Sequence, residues 1–444
     1  MNNTLYLGTF NSELFWRDNT FAELPSIKDN QSDRILSVMD ELQTVFCKDP
    51  KDLLITRLSI DGAFKDYLSK IGINFLSNNE DVASNDVNSS ICNLLLNTNG
   101  KSEISYHSLE DYSFSPYSIM NETYELIELL GIHIKVPSID TIIKVNSKEY
   151  STKLSTNKYF FNDSLIASTA EELLIIGKKM FEKGAIIIKD PMGVSGKGNL
   201  LVNSEKLLVR IVDYLKKQEL KGKKVCFIIE EMLQKKTDFS CQLFISSNGE
   251  VKIISTQVMQ NKDFAFSGIY SANNEFINQL DSTGYYQQMI EIGNSLFQEG
   301  YFGPVCIDSM IDMSDRIIPV IEINARKSMG LINHHLDGIL KQNNCKGNLK
   351  FLSLLMKKNI PFELLLKKLN EENILYSSNR NFGILPLSEK TININTQESI
   401  ESEGLTSKGR FYFSLVSNNE NIDQAGSISK LREIFDAFDC KITN

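Results

Sequence analysis

The 444-residue sequence predicts an α/β protein of the α+β kind, and three stretches carry that prediction. Near the N-terminus, "DLLITR" (52–57), "GAFKDYLSKIG" (62–72) and "INFL" read as strand, helix and strand, a βαβ element. In the middle, the helix pattern "SEKLLVRIVDYLKKQELKG" lies between the strand patterns "AIIIK" and "KVCFIIEEM". Two hairpins follow, one turning at Asn248-Gly249 and one at "DMSDR".

Taken in order, residues 1–117 form a small N-terminal α/β unit. Its segment 77–90 holds ten Ser, Asn or Asp in fourteen residues, which is loop composition. A second unit spans 118–344. In its central helix Ser204 is the N-cap, Leu207, Leu208, Ile211, Val212 and Leu215 make the apolar stripe, and Gly222 is the stop. "FSCQLFIS" turns through Asn248-Gly249 into "EVKIISTQVM", because an Asn-Gly pair suits the tight turn between alternating strands. Residues 345–444 form a third unit with the strand "GRFYFSLVS" and the helix "SISKLREIFDAF", where Leu431, Ile434, Phe435 and Phe438 share a face. There is no internal repeat.

Composition narrows the function classes. A formal net charge of −9 argues against a general binder of nucleic acid or anionic membrane, since neutralising phosphates needs a basic surface. No apolar run approaches the roughly 18–20 residues that span a bilayer, and "MNNTLYLGTF" lacks the pattern of a secretory signal. Seven dispersed cysteines without a C-x-x-C point away from disulfides or zinc, and a reducing cytoplasm is the expected home.

The candidate chemistry lies in two stretches. "KDPMGVSGKGNLLV" (189–202) is not a Walker loop: the leading glycine is missing and Gly198, not a hydroxyl residue, follows Gly196-Lys197. Gly193, Ser195, Gly196, Lys197 and Gly198 still suit a loop closing over phosphates, with an unliganded glycine hairpin as the equal alternative. In "GYFGPVCIDSMIDMSDRIIPVIEINARKSMG" (300–330), strand alternation puts Glu322, Asn324 and Arg326 on one face and Ile321, Ile323 and Ala325 on the other. Asp308 on the preceding strand faces away from Val305 and Ile307. Three hard oxygen donors beside an arginine suit Mg²⁺ and phosphate oxygens; taken alone, Glu-x-Asn-x-Arg is equally a polar strand face.

With these residues together, the chain resembles the ATP-grasp ligases. The resemblance implies the ATP-grasp fold, with a small N-terminal pre-domain, a hinge near 229–234 and an additional C-terminal domain. It implies ATP and two Mg²⁺ ions as cofactors, with Asp308, Glu322 and Asn324 as metal ligands. Lys189 matches the lysine at the end of the strand before the glycine loop, and Lys148 in "VNSKEYSTK" matches the upstream phosphate lysine, with Lys153 as the fallback. In "FIIEEMLQKKTDF", Glu230 would meet the adenine amino group, Glu231 and Leu233 would offer backbone groups, and Asp238 would take the ribose hydroxyls. "GYFGPVCIDSMI" and "VIEINARKSMG" most resemble the subgroup of the pheganomycin peptide ligase and the butirosin glutamate–carrier-protein ligase. One departure concerns D-alanine–D-alanine ligases, where an arginine stands two residues before the metal aspartate; here it is Cys306, which reads as packing. Arg326 would carry the acyl phosphate or carboxylate instead, with Lys189 as its catalytic companion.

The resemblance implies an ADP-forming ligase that activates a carboxylate as an acyl phosphate, in specialised peptide or antibiotic biosynthesis. The expected substrates are an amino-acid or small-peptide carboxylate and an amine, giving a peptide or amide bond. The alternatives are transfer to the thiol of an acyl carrier protein, and an ATP-binding module without catalysis. A homodimer is a further partner expectation. His334-His335 reads either as a substrate contact or as an exposed pair at a helix start.

Overall fold

The computed structural model describes residues 3–82, 88–97, 109–158, 164–193, 198–262, 265–396, 406–418 and 424–443. Among these residues the strands form three sheets. The first is parallel and built from β1 (Thr4–Leu7), β2 (Leu53–Leu54), β3 (Leu76–Ser77) and β4 (Ser113–Pro116), in the order β3-β2-β1-β4. The expected βαβ element is there: helix Gly62–Lys70 joins β2 to β3, started by Asp61, whose carboxylate accepts from Ala63 N and Phe64 N. Strand β2 is shorter than its apolar run. Thr56 N donates to Asn78 Oδ1 at 2.9 Å and Arg57 N to Asp40 Oδ2 at 2.6 Å, so side chains take the donors that would extend the ladder.

The second sheet is antiparallel: β5 (Leu165–Ala167), β6 (Ile186–Lys189), β7 (Asn199–Val202) and β8 (Phe227–Glu231), in the order β5-β8-β6-β7. Helices Ala170–Phe181 and Glu205–Glu219 pack their apolar stripes on it. Ser204 caps the second of them, accepting from Leu207 N, and Leu208, Ile211, Val212 and Leu215 are buried.

The third sheet is the largest. It comprises β9 (Lys235–Ile245), β10 (Val251–Lys262), β11 (Ala265–Ser271), β12 (Gly303–Asp312), β13 (Ile317–Asn324), β14 (Lys346–Met356), β15 (Gly383–Pro386), β16 (Ser407–Ser417) and β17 (Cys440–Ile442). Its order is β13-β12-β9-β10-β11-β14-β16-β15, with β17 also on β14. Both expected hairpins are present, and Gly249 in the first turn sits at φ +93°, where an L side chain is strained. Through the β11–β14 pairing the sheet runs on into the C-terminal part of the chain. Leu431, Ile434 and Phe435 of helix Gln424–Ala437 are buried there.

One face of β9, β12 and β13 is apolar. Phe239, Cys241, Leu243, Val305, Ile307, Ile323 and Ala325 pack with Leu280, Tyr285, Met289, Ile292 and Leu296 from two covering helices. The opposite face of the same strands carries Asp238, Ser240, Gln242, Cys306, Asp308, Glu322 and Asn324, because side chains alternate along each strand. Helix Met329–Leu340 begins just beyond β13, capped by Ser328.

Candidate active site

Strand pairing assembles the carboxylates. Asp308 on β12 lies directly opposite Glu322 on β13, and Cys306 lies opposite Asn324. Asn324 Nδ2 donates to Asp308 Oδ2 at 3.1 Å. Glu322 Oε1 is 2.9 Å from Lys148 Nζ, which also donates to the carbonyl of Gly193. One buried lysine therefore ties the carboxylate strand to the root of the glycine loop. Lys153, five residues on, is exposed and pairs with Glu149 one helical turn away, so the fallback lysine is not part of this cluster.

Two facing carboxylates repel each other. Burial and then the charge of Glu322 push the Asp308 carboxyl up to about 7. A divalent cation between them would remove that repulsion, and two carboxylates plus an amide oxygen are hard donors of the kind Mg²⁺ takes. The residues thus fit the metal, although the Asn324 amide oxygen here accepts from Arg326 NH2 at 3.1 Å and would have to turn. Among the described residues no group of three or more His, Cys, Asp or Glu is arranged to hold a metal.

Arg326 is fully engaged. Its Nε donates to Glu13 Oε1 at 2.7 Å, NH2 to Glu13 and Asn324, and NH1 to the Lys327 carbonyl at 3.1 Å. Burial works most strongly against the guanidinium charge, but Glu13, Tyr117 and Glu322 together outweigh it and raise the Arg326 pKa.

The candidate nucleotide residues fall into two groups. Lys189 at the end of β6 pairs with Glu230 on the neighbouring β8, and Ser164 Oγ donates to Glu230 Oε1 at 3.0 Å. Glu231 and Leu233 are half-buried on the segment leading from β8 to β9. Asp238 is on β9, opposite Met310 and on the same face as Asp308, and it pairs with Lys235 at 2.5 Å. Gly193 and Gly198 close the base of the loop: Asp190 N donates to Gly198 O at 2.7 Å and Gly193 N to Asp190 O at 3.2 Å. Ser195, Gly196 and Lys197 lie outside the described residues.

Other contributors were not foreseen. Glu13 and Arg17 come from the helix Ser12–Trp16 and its end, and Arg17 NH2 meets Asp190 Oδ2 at 2.9 Å. No local pattern marks either residue. Gln242 was not named from the sequence either, although it follows Asp238 and Ser240 by strict alternation along β9, a signal that could have found it. His334 and His335 are not an exposed pair: both are half-buried, and His335 sits edge-on to Phe46 at 4.9 Å. Burial, then Lys48, pull the His335 pKa down to about 3.

No family model matches the chain. Over its whole length it superposes on the biotin carboxylase of Campylobacter jejuni in complex with an ATP analogue, with a TM-score of 0.53, 13% identity, and 100% and 92% of the two chains covered. The chain has the ATP-grasp fold. An ATP complex of the carboxyaminoimidazole ribonucleotide synthase of Aspergillus clavatus matches with a TM-score of 0.50, 13% identity and 99% of each chain. The biotin carboxylase domain of the Hydrogenobacter thermophilus 2-oxoglutarate carboxylase, with MgADP and bicarbonate, gives 0.50, 11% identity, and 100% and 91% coverage. In sequence, the chain is 26% identical over 314 residues to the [butirosin acyl-carrier protein]–L-glutamate ligase of Niallia circulans, covering 68% of this chain and 67% of that protein. That relative belongs to the subgroup the motifs resemble.

Proposed function

We propose that the protein is an ADP-forming ligase that activates an amino-acid carboxylate as an acyl phosphate and passes it to an amine. The observation that carries this reading is the convergence of Asp308, Glu322 and Lys148 at the root of the glycine loop. A free carboxylate is a poor electrophile, and phosphoryl transfer to it needs charge neutralisation and alignment more than covalent help from the protein. In this reading Asp308, Glu322 and a turned Asn324 would hold Mg²⁺, which would neutralise phosphate charge. Lys148 and Lys189 offset phosphate charge, and Glu230, Glu231, Leu233 and Asp238 hold the nucleoside between residues 118–234 and the large sheet. Gly193–Gly198 covers the phosphates and excludes water.

The Arg326–Glu13 pair supports an amino acid as the donor. Both charges are nearly buried, with side chains 13% and 7% exposed. A carboxylate that took Arg326 from Glu13 would strand a buried anion, a cost of about 3–5 kcal/mol. An amino acid brings an ammonium group as well, so it replaces both partners at once. Fixed amine and carboxylate at one end of the substrate would also orient its reacting group.

A second reading, transfer to a carrier-protein thiol, is favoured by the name of the Niallia circulans relative. The two are separated by an ADP- and phosphate-release screen of amino acids with amines or a phosphopantetheinylated carrier. Hydroxylamine should trap the activated acid as a hydroxamate in either case. Release of AMP and pyrophosphate without ADP would overturn both readings. ADP release that needs the carrier across a broad amine panel would select the thioester.

A further inference from the structure

The carboxylate of Asp308 is held at both oxygens, and one of the holders is a cysteine. Cys306 Sγ donates to Asp308 Oδ1 at 3.5 Å, while Asn324 takes the other oxygen. The thiol in turn accepts from Gln242 Nε2 at 3.2 Å, and Gln242 Oε1 accepts from Ser328 Oγ at 2.6 Å. Ser328 Oγ accepts from Leu331 N at 3.1 Å, as the cap of helix Met329–Leu340. Every hydrogen bond points the same way, from a helix-start amide through hydroxyl, amide and thiol to a carboxylate. Such chains polarise each other, and low dielectric strengthens them. Cys306, Gln242 and Ser328 are 5%, 1% and 7% exposed, so water does not compete.

The backbone enforces the chain. Asn324, Cys306 and Gln242 are neighbours across β13, β12 and β9. Gly330 lets the helix approach closely, because a Cβ there would lie 2.5 Å from Gln242 Nε2. An apolar residue at 306 would fill the same space but give Asp308 Oδ1 no donor.

We propose that Cys306 and Gln242 are positioning residues for Asp308: they fix which way its oxygens face, so that the carboxylate meets a divalent cation without reorganising. The inference rests on the reading of Asp308 and Glu322 as the Mg²⁺ site. It predicts that the donor at 306, not the volume, sets metal affinity.

The test is Mn²⁺ binding in the presence of ADP, read from the free-Mn²⁺ electron paramagnetic resonance signal, with circular dichroism as the check on folding. Cys306→Ser keeps a donor and should bind within about threefold of wild type, whereas Cys306→Val should bind about 10–100-fold more weakly, the usual cost of losing a group that orients a metal ligand. Equal affinity of Cys306→Val and wild type overturns the proposal, as does a Cys306→Ser as weak as Cys306→Val. If Cys306→Val does not fold, Gln242→Met, which removes the donor to the thiol, carries the same test. Failure of wild type to bind Mn²⁺ with ADP overturns the metal reading and this inference with it. Binding that Asp308→Asn abolishes and Cys306→Val leaves intact overturns the positioning role alone.

Discussion

Glu322→Gln and Asp308→Asn should both cut ATP turnover steeply, yet move stability in opposite directions. Glu322 is the carboxylate partner of Lys148, whose side chain is 6% exposed while that of Glu322 is 27% exposed. Replacing Glu322 by glutamine leaves the Lys148 ammonium with the Gly193 carbonyl as its other named acceptor. Removing one partner of a fully buried pair costs about 3–5 kcal/mol; with Glu322 a quarter open to water, about 1–3 kcal/mol is expected. Asp308→Asn does the reverse. Burial and Glu322 hold the Asp308 carboxyl up at about 7, so its ionised form strains the fold at pH 8. An asparagine removes that strain, and its oxygen can still accept from one neighbour. Its stability should match or exceed wild type. In rate, each variant should lose on the order of 10²–10³, the scale for removing one preorganised electrostatic group. The assays are coupled ADP release and urea unfolding at pH 8 without metal. Near wild-type ADP release by either variant refutes the metal assignment. A Glu322→Gln as stable as Asp308→Asn refutes the claim that Lys148 depends on Glu322.

Gly330→Ala should cost about 1–3 kcal/mol by overpacking and weaken Mn²⁺ binding, because its Cβ would displace Gln242; unchanged urea midpoint and affinity would contradict this. Glu13→Gln should raise KM for the amino-acid donor far more than KM for ATP, and equal effects on both would refute the zwitterion argument. Lys327 is buried against Tyr6 and Phe46, donates to Ser115 O at 2.7 Å, and has its pKa pulled by burial from 10.5 to about 7. Between those values the unfolded chain binds more protons than the folded one, so wild-type stability relative to Lys327→Met should rise with pH, by up to about 1.4 kcal/mol per unit above pH 7. Parallel urea-midpoint curves from pH 7 to 9.5 would show that Lys327 titrates normally.

The carboxylate hairpin was legible because one sheet face is buried, which forces a period of two and makes a register slip costly. Asp238 on β9 came from the family resemblance alone, yet the same alternation, carried from it along the strand through Ser240, leads to Gln242. The resemblance put Lys148 ahead of Lys153, but no local pattern in the sequence separates them. Both lie on one helix, Lys148–Lys158, and tertiary packing decides: Ser151 Oγ accepts from Ile323 N at 3.2 Å, which turns the start of the helix toward β13. Strand β2 was overextended because its competing side chains, Asn78 and Asp40, lie on other elements. Glu13 and Arg326 are 313 positions apart, and no window of sequence connects them.

That last pair belongs to a larger arrangement. The segment from Ser12 to Leu24 spans both sides of the site. Trp16 is buried in the core of the large sheet and donates to Ile119 O at 3.0 Å, while Ala22 and Leu24 are buried in the core of the antiparallel sheet. Ala22 N donates to Lys224 O at 2.8 Å and Lys224 N to Thr20 O at 2.8 Å, which fastens the far end. Between these anchors, Glu13 holds Arg326 beside the carboxylates and Arg17 holds Asp190 at the root of the glycine loop. Among the described residues the two sheets are linked by the connection from β8 to β9, by this strap, and by Lys148, which joins Glu322 on β13 to the Gly193 carbonyl. Separating them would break the Lys148 contacts and the Arg17–Asp190 pair, whose side chains are 15% and 9% exposed. A pair so shielded costs more to break than an exposed one, which is worth about 0–1 kcal/mol. The N-terminal residues thus set the spacing between the loop that would cover phosphate and the arginine that would receive a carboxylate.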